Sequence, residues 1–122
     1  MGKLVLVVDD DPMNRELMET VLKRSGYETQ IAVNGSQALS AVEQRLPELI
    51  LLDARMGDEL DGFEVCYQLK SDPATQMIPI IILTASNLKS DIQRAQQAGA
   101  DDYYHKPDGW QGLMERVRNF IG

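Results

Sequence analysis

Short apolar runs alternate along this chain with stretches of helical period. Lys3 to Val8, Leu49 to Leu52 and Ile80 to Leu83 are almost unbroken aliphatic sequence. Runs of this length without polar alternation suit strands buried on both faces, as in a parallel sheet. Glu28 to Ala32 (ETQIA) is more polar and predicts a strand nearer the sheet edge, and Asp101 to His105 predicts a fifth strand. Between them the period changes to that of a helix. Asp11 is a good N-cap, Pro12 a good first helical residue, and Met13, Leu17 and Val21 with Met18 and Leu22 repeat through Arg24 to a stop at Gly26. Asn34-Gly35-Ser36 reads as a turn, and Ala38, Leu39 and Val42 mark a second helix that stops before Pro47. Asp61 with Glu64 resembles a capping box for a third helix carrying Phe63, Cys66 and Leu69, ended near Asp72-Pro73. Thr84-Ala85-Ser86-Asn87 leads into a fourth helix with Leu88, Ile92 and Ala95 on one face and Gly99 at its end. Lys106 to Gly109 reads as a turn before a last helix with Trp110, Leu113, Val117 and Phe120.

Strict alternation of strand and helix implies an α/β fold, a parallel sheet with helices on both faces. Right-handed crossovers then place the carboxyl end of every strand along one edge. Ligands of such folds bind at that edge, where the strand order reverses. The 122 residues fit one domain, 1–122, with no interdomain linker and no output domain among them, which suits either a stand-alone unit or one domain of a longer protein.

Charge and cysteine usage narrow the partners. The formal net charge is -7, from 12 basic and 19 acidic side chains, which argues against direct binding of nucleic acid. The single cysteine, Cys66, has no internal disulfide partner and reads as a buried structural thiol. No apolar run is long enough for a signal peptide or a membrane span, so a cytoplasmic location is expected, with no membrane partner. Met1-Gly2 lacks the Ser or Thr that N-myristoylation requires at position six, where Leu6 stands.

The chemistry collects at the strand ends. Asp9 and Asp10 follow the first strand, Asp53 the third, Thr84 the fourth and Lys106 the fifth. Two carboxylates about 4 Å apart repel by roughly 4 kcal/mol at an effective dielectric near 20. Such a cluster must raise its pKa values or hold a cation. All-oxygen ligands favour a hard ion, Mg2+ or Mn2+. The plainer reading, solvated loop aspartates that cap helices, is accepted for Asp11. It does not account for Asp9, Asp10, Asp53, Thr84 and Lys106 together.

These residues resemble the response-regulator receiver domain over nearly the whole chain. Leu-Val-Leu-Val-Val-Asp-Asp-Asp-Pro is similar to that family's first strand and acidic pair, and Leu-Ile-Leu-Leu-Asp to its third strand. Leu-Thr-Ala is similar to the fourth strand, and Gly-Ala-Asp-Asp-Tyr-Tyr-His-Lys-Pro to the fifth. The resemblance implies a doubly wound, flavodoxin-like sheet of order 2-1-3-4-5. It implies phosphorylation of Asp53, and a metal held by Asp9, Asp10, Asp53 and the backbone carbonyl of Arg55. Thr84, the backbone N–H of Ala85, Tyr103 and Lys106 would bind the phosphoryl group and carry the switch, and Lys106-Pro107 would be a cis bond. Arg55 and Ser86 would tune hydrolysis of the acyl phosphate, a bulky cation at Arg55 slowing it. The donor would be a histidine kinase or a phosphotransfer protein. The downstream partner would meet the last two strand-helix units, around Lys89, Gln93 and Tyr103. The domain would catalyse its own phosphorylation and dephosphorylation without being a turnover enzyme. One departure is visible: Gly57 stands where proline is usual, and Asp61-Gly62 comes about one residue late, so a more mobile loop is expected after Asp53.

Three rivals remain open. Asp9 and Asp11 have the Asp-x-Asp spacing of haloacid dehalogenase-like phosphatases, but Met13 stands where that motif needs Thr. A flavodoxin-like flavin carrier would need a phosphate loop after the first strand, where three aspartates stand instead. A receiver-shaped adaptor that never takes phosphate is the third. His105 reads as a strand residue beside the site rather than a metal ligand, and Trp110 as helix packing.

Overall fold

The computed structural model describes residues 2–57, 60–85 and 89–122, apart from the side chain of Pro107. Five parallel strands, β1 (Leu4–Val8), β2 (Glu28–Ala32), β3 (Leu49–Asp53), β4 (Ile80–Thr84) and β5 (Asp102–His105), form one sheet of order β2-β1-β3-β4-β5. The helices are α1 (Pro12–Arg24), α2 (Gly35–Gln44), α3 (Gly62–Ser71), α4 (Lys89–Gln97) and α5 (Trp110–Ile121). A 3-10 turn at Lys106–Asp108 replaces the expected plain turn. The expected fold and strand order are both found.

Strand alternation divides the core in two. Leu6, Val8, Ile50, Leu52, Ile80 and Ile82 face α2, α3 and α4, where Ala38, Val42, Phe63, Val65, Cys66, Leu69 and Ala95 meet them. Val5, Val7, Leu49, Leu51, Ile81 and Leu83 face α1 and α5, against Met18, Leu22, Leu113, Met114 and Val117. The right-handed rule explains this partition. The step from β1 to β2 runs one way across the sheet, and the steps from β2 through β5 run the other way, so α1 is left on the opposite face from α2, α3 and α4. Each fully buried Leu or Ile contributes about 1.5–3 kcal/mol.

One local expectation is corrected at Gly35, and several apolar residues of helical period lie outside the core. Met13 (70% exposed) and Leu17 (43%) lie on the outer side of α1, and only Met18 and Leu22 of that helix are buried. Phe120 is likewise 38% exposed, while Met114 is buried in its stead. Gly35 is the first residue of α2, because the Asn34 side chain accepts the backbone N–H of Gln37 and caps the helix. Elsewhere the expected caps are found: Asp11 accepts from Met13 N, and Asp61 from Glu64 N. Cys66 is buried, donates to the Ala98 carbonyl, and burial pushes its thiol up to about 12, which makes it an inert structural thiol.

The expected Leu88 in α4 and the mobility expected around Asp58 and Glu59 fall on residues outside those described. Among the described residues, no helix is long and apolar enough to cross a membrane.

Candidate functional site

Parallel strands bring their carboxyl ends to one edge. The pairs Val8↔Leu52, Asp53↔Leu83 and Thr84↔His105 set the register there. Asp9 continues β1, with its backbone N–H donating to Ala32 O at 3.2 Å. Ala54 continues β3 by donating to Leu83 O at 2.8 Å. The residues that sequence spacing placed at strand ends therefore converge. Asp9 is fully buried, Asp53 is 6% exposed and Thr84 is 2% exposed, while Asp10 is exposed. A cleft of about 270 Å3 is lined by Asp53, Arg55, Thr84, Ala85 and Lys106.

Lys106 links the two buried carboxylates. Its Nζ lies 3.1 Å from Asp53 Oδ1 and 3.4 Å from Asp9 Oδ2. Burial pushes the Asp53 carboxyl up to about 6; the Asp9 charge adds to this, and Lys106 only partly offsets it. Burial works against the Lys106 ammonium, but the Asp53 and Asp9 charges and hydrogen bonds together hold it above its ordinary value. The pocket thus holds more negative charge than one ammonium balances.

The donor set suits a hard divalent cation. Asp9, Asp10 and Asp53 each offer an oxygen, and these atoms lie within 4.8 Å of one another. The loops hold the two aspartates in place: Asp11 N donates to Asp9 Oδ1 at 2.9 Å, and Gly57 N to Asp10 Oδ2 at 2.9 Å. Three carboxylates without nitrogen or sulfur partners fit Mg2+ or Mn2+ better than a softer metal.

Tyr103 hydrogen-bonds the Thr84 side chain and packs against the core beside Ile92, Ala95 and Ala100. The hydroxyl expected to meet a phosphoryl group therefore already touches the expected switch aromatic. Desolvation raises the Tyr103 phenol above its ordinary value, and the Thr84 hydrogen bond partly offsets this. Arg55 N lies 3.5 Å from Asp53 Oδ1. Its guanidinium turns away to Asp91 of α4, at 2.7 Å. Ser86 and the Lys106-Pro107 peptide bond fall on residues outside those fully described.

The sequence missed several partners. His105 Nε2 lies 3.1 Å from Ala85 O and its Nδ1 3.4 Å from Asp108 Oδ1, which ties the loop after β4 to the turn after β5. Arg94 pairs with Asp61 at 3.1 Å and stands 4.2 Å over the Phe63 ring, which ties α4 to the start of α3. Asp91 is visible in sequence as an acid in the first turn of a helix, but nothing there names Arg55 as its partner.

A model of the response regulator receiver domain matches residues 5–118. The chain is 35% identical over 122 residues to the polar-differentiation response regulator DivK of Brucella anthropi, covering 100% of this chain and 98% of that protein. It is 40% identical over 118 residues to the DNA-binding response regulator MtrA of Mycolicibacterium smegmatis, covering 97% of this chain and 50% of that protein. It thus spans nearly all of DivK but about half the length of MtrA. Among solved structures, a putative response regulator from Chloroflexus aurantiacus superposes with a TM-score of 0.92 at 35% identity, covering 98% of each chain.

Proposed function

The chain belongs to the response regulator receiver domain family, and from that premise we propose that it accepts a phosphoryl group on Asp53 and in doing so changes a partner-binding surface. Receiver domains are signalling domains rather than turnover enzymes. The observation that carries the reading is the position of Lys106 Nζ, 3.1 Å from Asp53 Oδ1 and 3.4 Å from Asp9 Oδ2, in a cleft that Thr84 and Ala85 also line.

An Asp53 oxygen attacks phosphorus in line as the P–N bond of a donor phosphohistidine breaks, and the imidazole leaves. The donor is a histidine kinase or a phosphotransfer protein. Asp9, Asp10, Asp53 and the Arg55 carbonyl would hold Mg2+ or Mn2+, which when bound offsets charge on the transferring group. Lys106 holds one phosphoryl oxygen by charge. The Thr84 hydroxyl and the Ala85 N–H receive another. Inverting a population from 1:99 to 99:1 needs about 5.5 kcal/mol. Hydrogen bonds to a charged group contribute about 1.5–3 kcal/mol each. The groups around the cleft therefore suffice to drive a switch. Tyr103, joined to Thr84, carries the change to the surface of the last two strand-helix units around Lys89 and Gln93, where a downstream protein would dock. With a net charge of -7, no direct contact with nucleic acid is proposed for this chain.

Intact mass after incubation with acetyl phosphate and Mg2+ tests this. Wild type is expected to gain one phosphoryl group, and to gain none when EDTA removes the cation or when Asp53→Asn removes the nucleophile. A phosphoaspartate in the Asp53→Asn chain would show that another residue is the acceptor.

A further inference from the structure

Arg55 begins beside the acceptor and ends in another element. Its backbone N–H lies 3.5 Å from Asp53 Oδ1, and the residue lines the same cleft. Its guanidinium Nη2 instead lies 2.7 Å from Asp91 Oδ1 on α4. The two ends of this pair differ. The Arg55 side chain is 61% exposed, whereas that of Asp91 is 2% exposed. The second oxygen of Asp91, Oδ2, is buried with no hydrogen-bond partner among the described residues. A buried carboxylate with one oxygen unmet is costly and depends on the cation at its other oxygen. Asp91 and Arg55 also both act electrostatically on Tyr103, so the pair stands beside the expected switch aromatic.

We propose that Asp91 is a positioning residue that holds the Arg55 guanidinium away from Asp53 and thereby sets the lifetime of the acyl phosphate. This rests on the reading of Asp53 as acceptor and deepens it. A phosphoryl group on Asp53 brings new negative charge and acceptor oxygens into a cleft that Arg55 already lines. Two anions then compete for one long, flexible cation. While Asp91 holds it, the phosphorus stays open to in-line attack by water, which breaks the acyl phosphate to the Asp53 carboxylate and inorganic phosphate. When the guanidinium moves to the phosphoryl oxygens it covers that approach, and Asp91 loses its cation. Lifetime and the seating of α4 are thus set by the same ion pair. The plainer role for Asp91 is that of an acid favourable to a helix N-terminus, which needs no arginine.

A double-mutant cycle separates the two. Each chain is phosphorylated with acetyl phosphate, desalted into Mg2+ buffer, and its acyl phosphate followed by intact mass. Asp91→Asn is expected to lengthen the half-life about fivefold, the factor that an ion pair of ordinary strength carries. Arg55→Ala, alone or combined with Asp91→Asn, is expected to give one common half-life, shorter than that of Asp91→Asn. A half-life unchanged by Asp91→Asn, or lengthened equally with and without Arg55, overturns the proposal. If the Asn chain does not fold, Asp91→Ser, neutral and smaller at the same helical position, gives the same reading. Failure of wild type to take up phosphate overturns the proposed function and this inference together. Uptake with a flat cycle overturns this inference alone.

Discussion

Asp53→Asn is expected to make the protein more stable at neutral pH, by about 2–3 kcal/mol in the absence of divalent ions. Burial, with the Asp9 charge beside it, moves the Asp53 carboxyl from 3.8 to about 6. A shift of about two units corresponds to roughly 3 kcal/mol of differential interaction. Below pH 4 the carboxyl is protonated in both the folded and the unfolded chain, so aspartate and asparagine differ little. Between pH 4 and 6 the folded chain keeps a proton that the unfolded chain has lost, so wild-type stability falls as pH rises. Above about pH 6 both forms are ionised and the loss is complete. The advantage of Asp53→Asn should therefore open across that window and then level off. Lys106 keeps Asp9 as a partner in the variant, at 3.4 Å, so its ammonium is not orphaned. Thermal denaturation from pH 4 to 7.5 in EDTA would show a gap that widens to about 10 °C, since each kcal/mol shifts the midpoint by several degrees in a domain of this size. Mg2+ should narrow the gap by stabilising wild type more than the variant. A variant that melts below wild type at pH 7, or a gap independent of pH, would show that burial of this charge is not the dominant cost in the pocket.

Gly62→Ala is expected to be among the most damaging single substitutions, costing about 3 kcal/mol or more. The backbone of Gly62 passes directly beneath the acceptor. A Cβ there would stand 2.1 Å from Asp53 O and 2.9 Å from Ala54 Cα. Those atoms belong to the end of a central strand, so no flexible side chain can yield. Overpacking costs typically 1–3 kcal/mol, more where backbone must move. The shift would also lengthen the Gly62 N to Ala54 O hydrogen bond, 3.0 Å here, and loosen the Asp61 cap that accepts from Glu64 N. Urea denaturation would read the loss, and phosphate uptake should fall in chains that remain folded. An unchanged midpoint would mean that the loop can retreat from β3 at little cost. The requirement is for space: Gly62 is not among the glycines with positive φ.

Sequence alone was enough for the architecture. Unbroken aliphatic runs at Leu49 to Leu52 and Ile80 to Leu83 mark strands covered on both faces, because any exposed face would tolerate polar residues. Strand-helix alternation with right-handed crossovers then sends the residues after those runs to one edge, and Asp9, Asp53, Thr84 and Lys106 arrive there. Local chemistry was less secure where one residue type serves two ends. Asn34 suits a turn and a helix cap for the same reason, a short side chain that accepts a nearby backbone N–H. Helical spacing left the buried face of α1 open, because Met13 and Leu17 keep that spacing with Val21 and a period does not say which apolar side meets the sheet.

Which residue faces which was decided by the tertiary structure. The hold of Asp91 on Arg55, the bridge from Arg94 to Asp61 and the contact of His105 with Ala85 O each join units separated along the chain. Spacing rules extend over a few residues, as far as one turn of helix or one strand pleat. Pairings between units depend on how far helices slide and tilt over the sheet to fill the core, and that is a property of all the side chains packed together rather than of any segment. The sequence thus determined that an acidic pocket forms at the ends of the strands, and the packing of α4 decided where the arginine beside that pocket points.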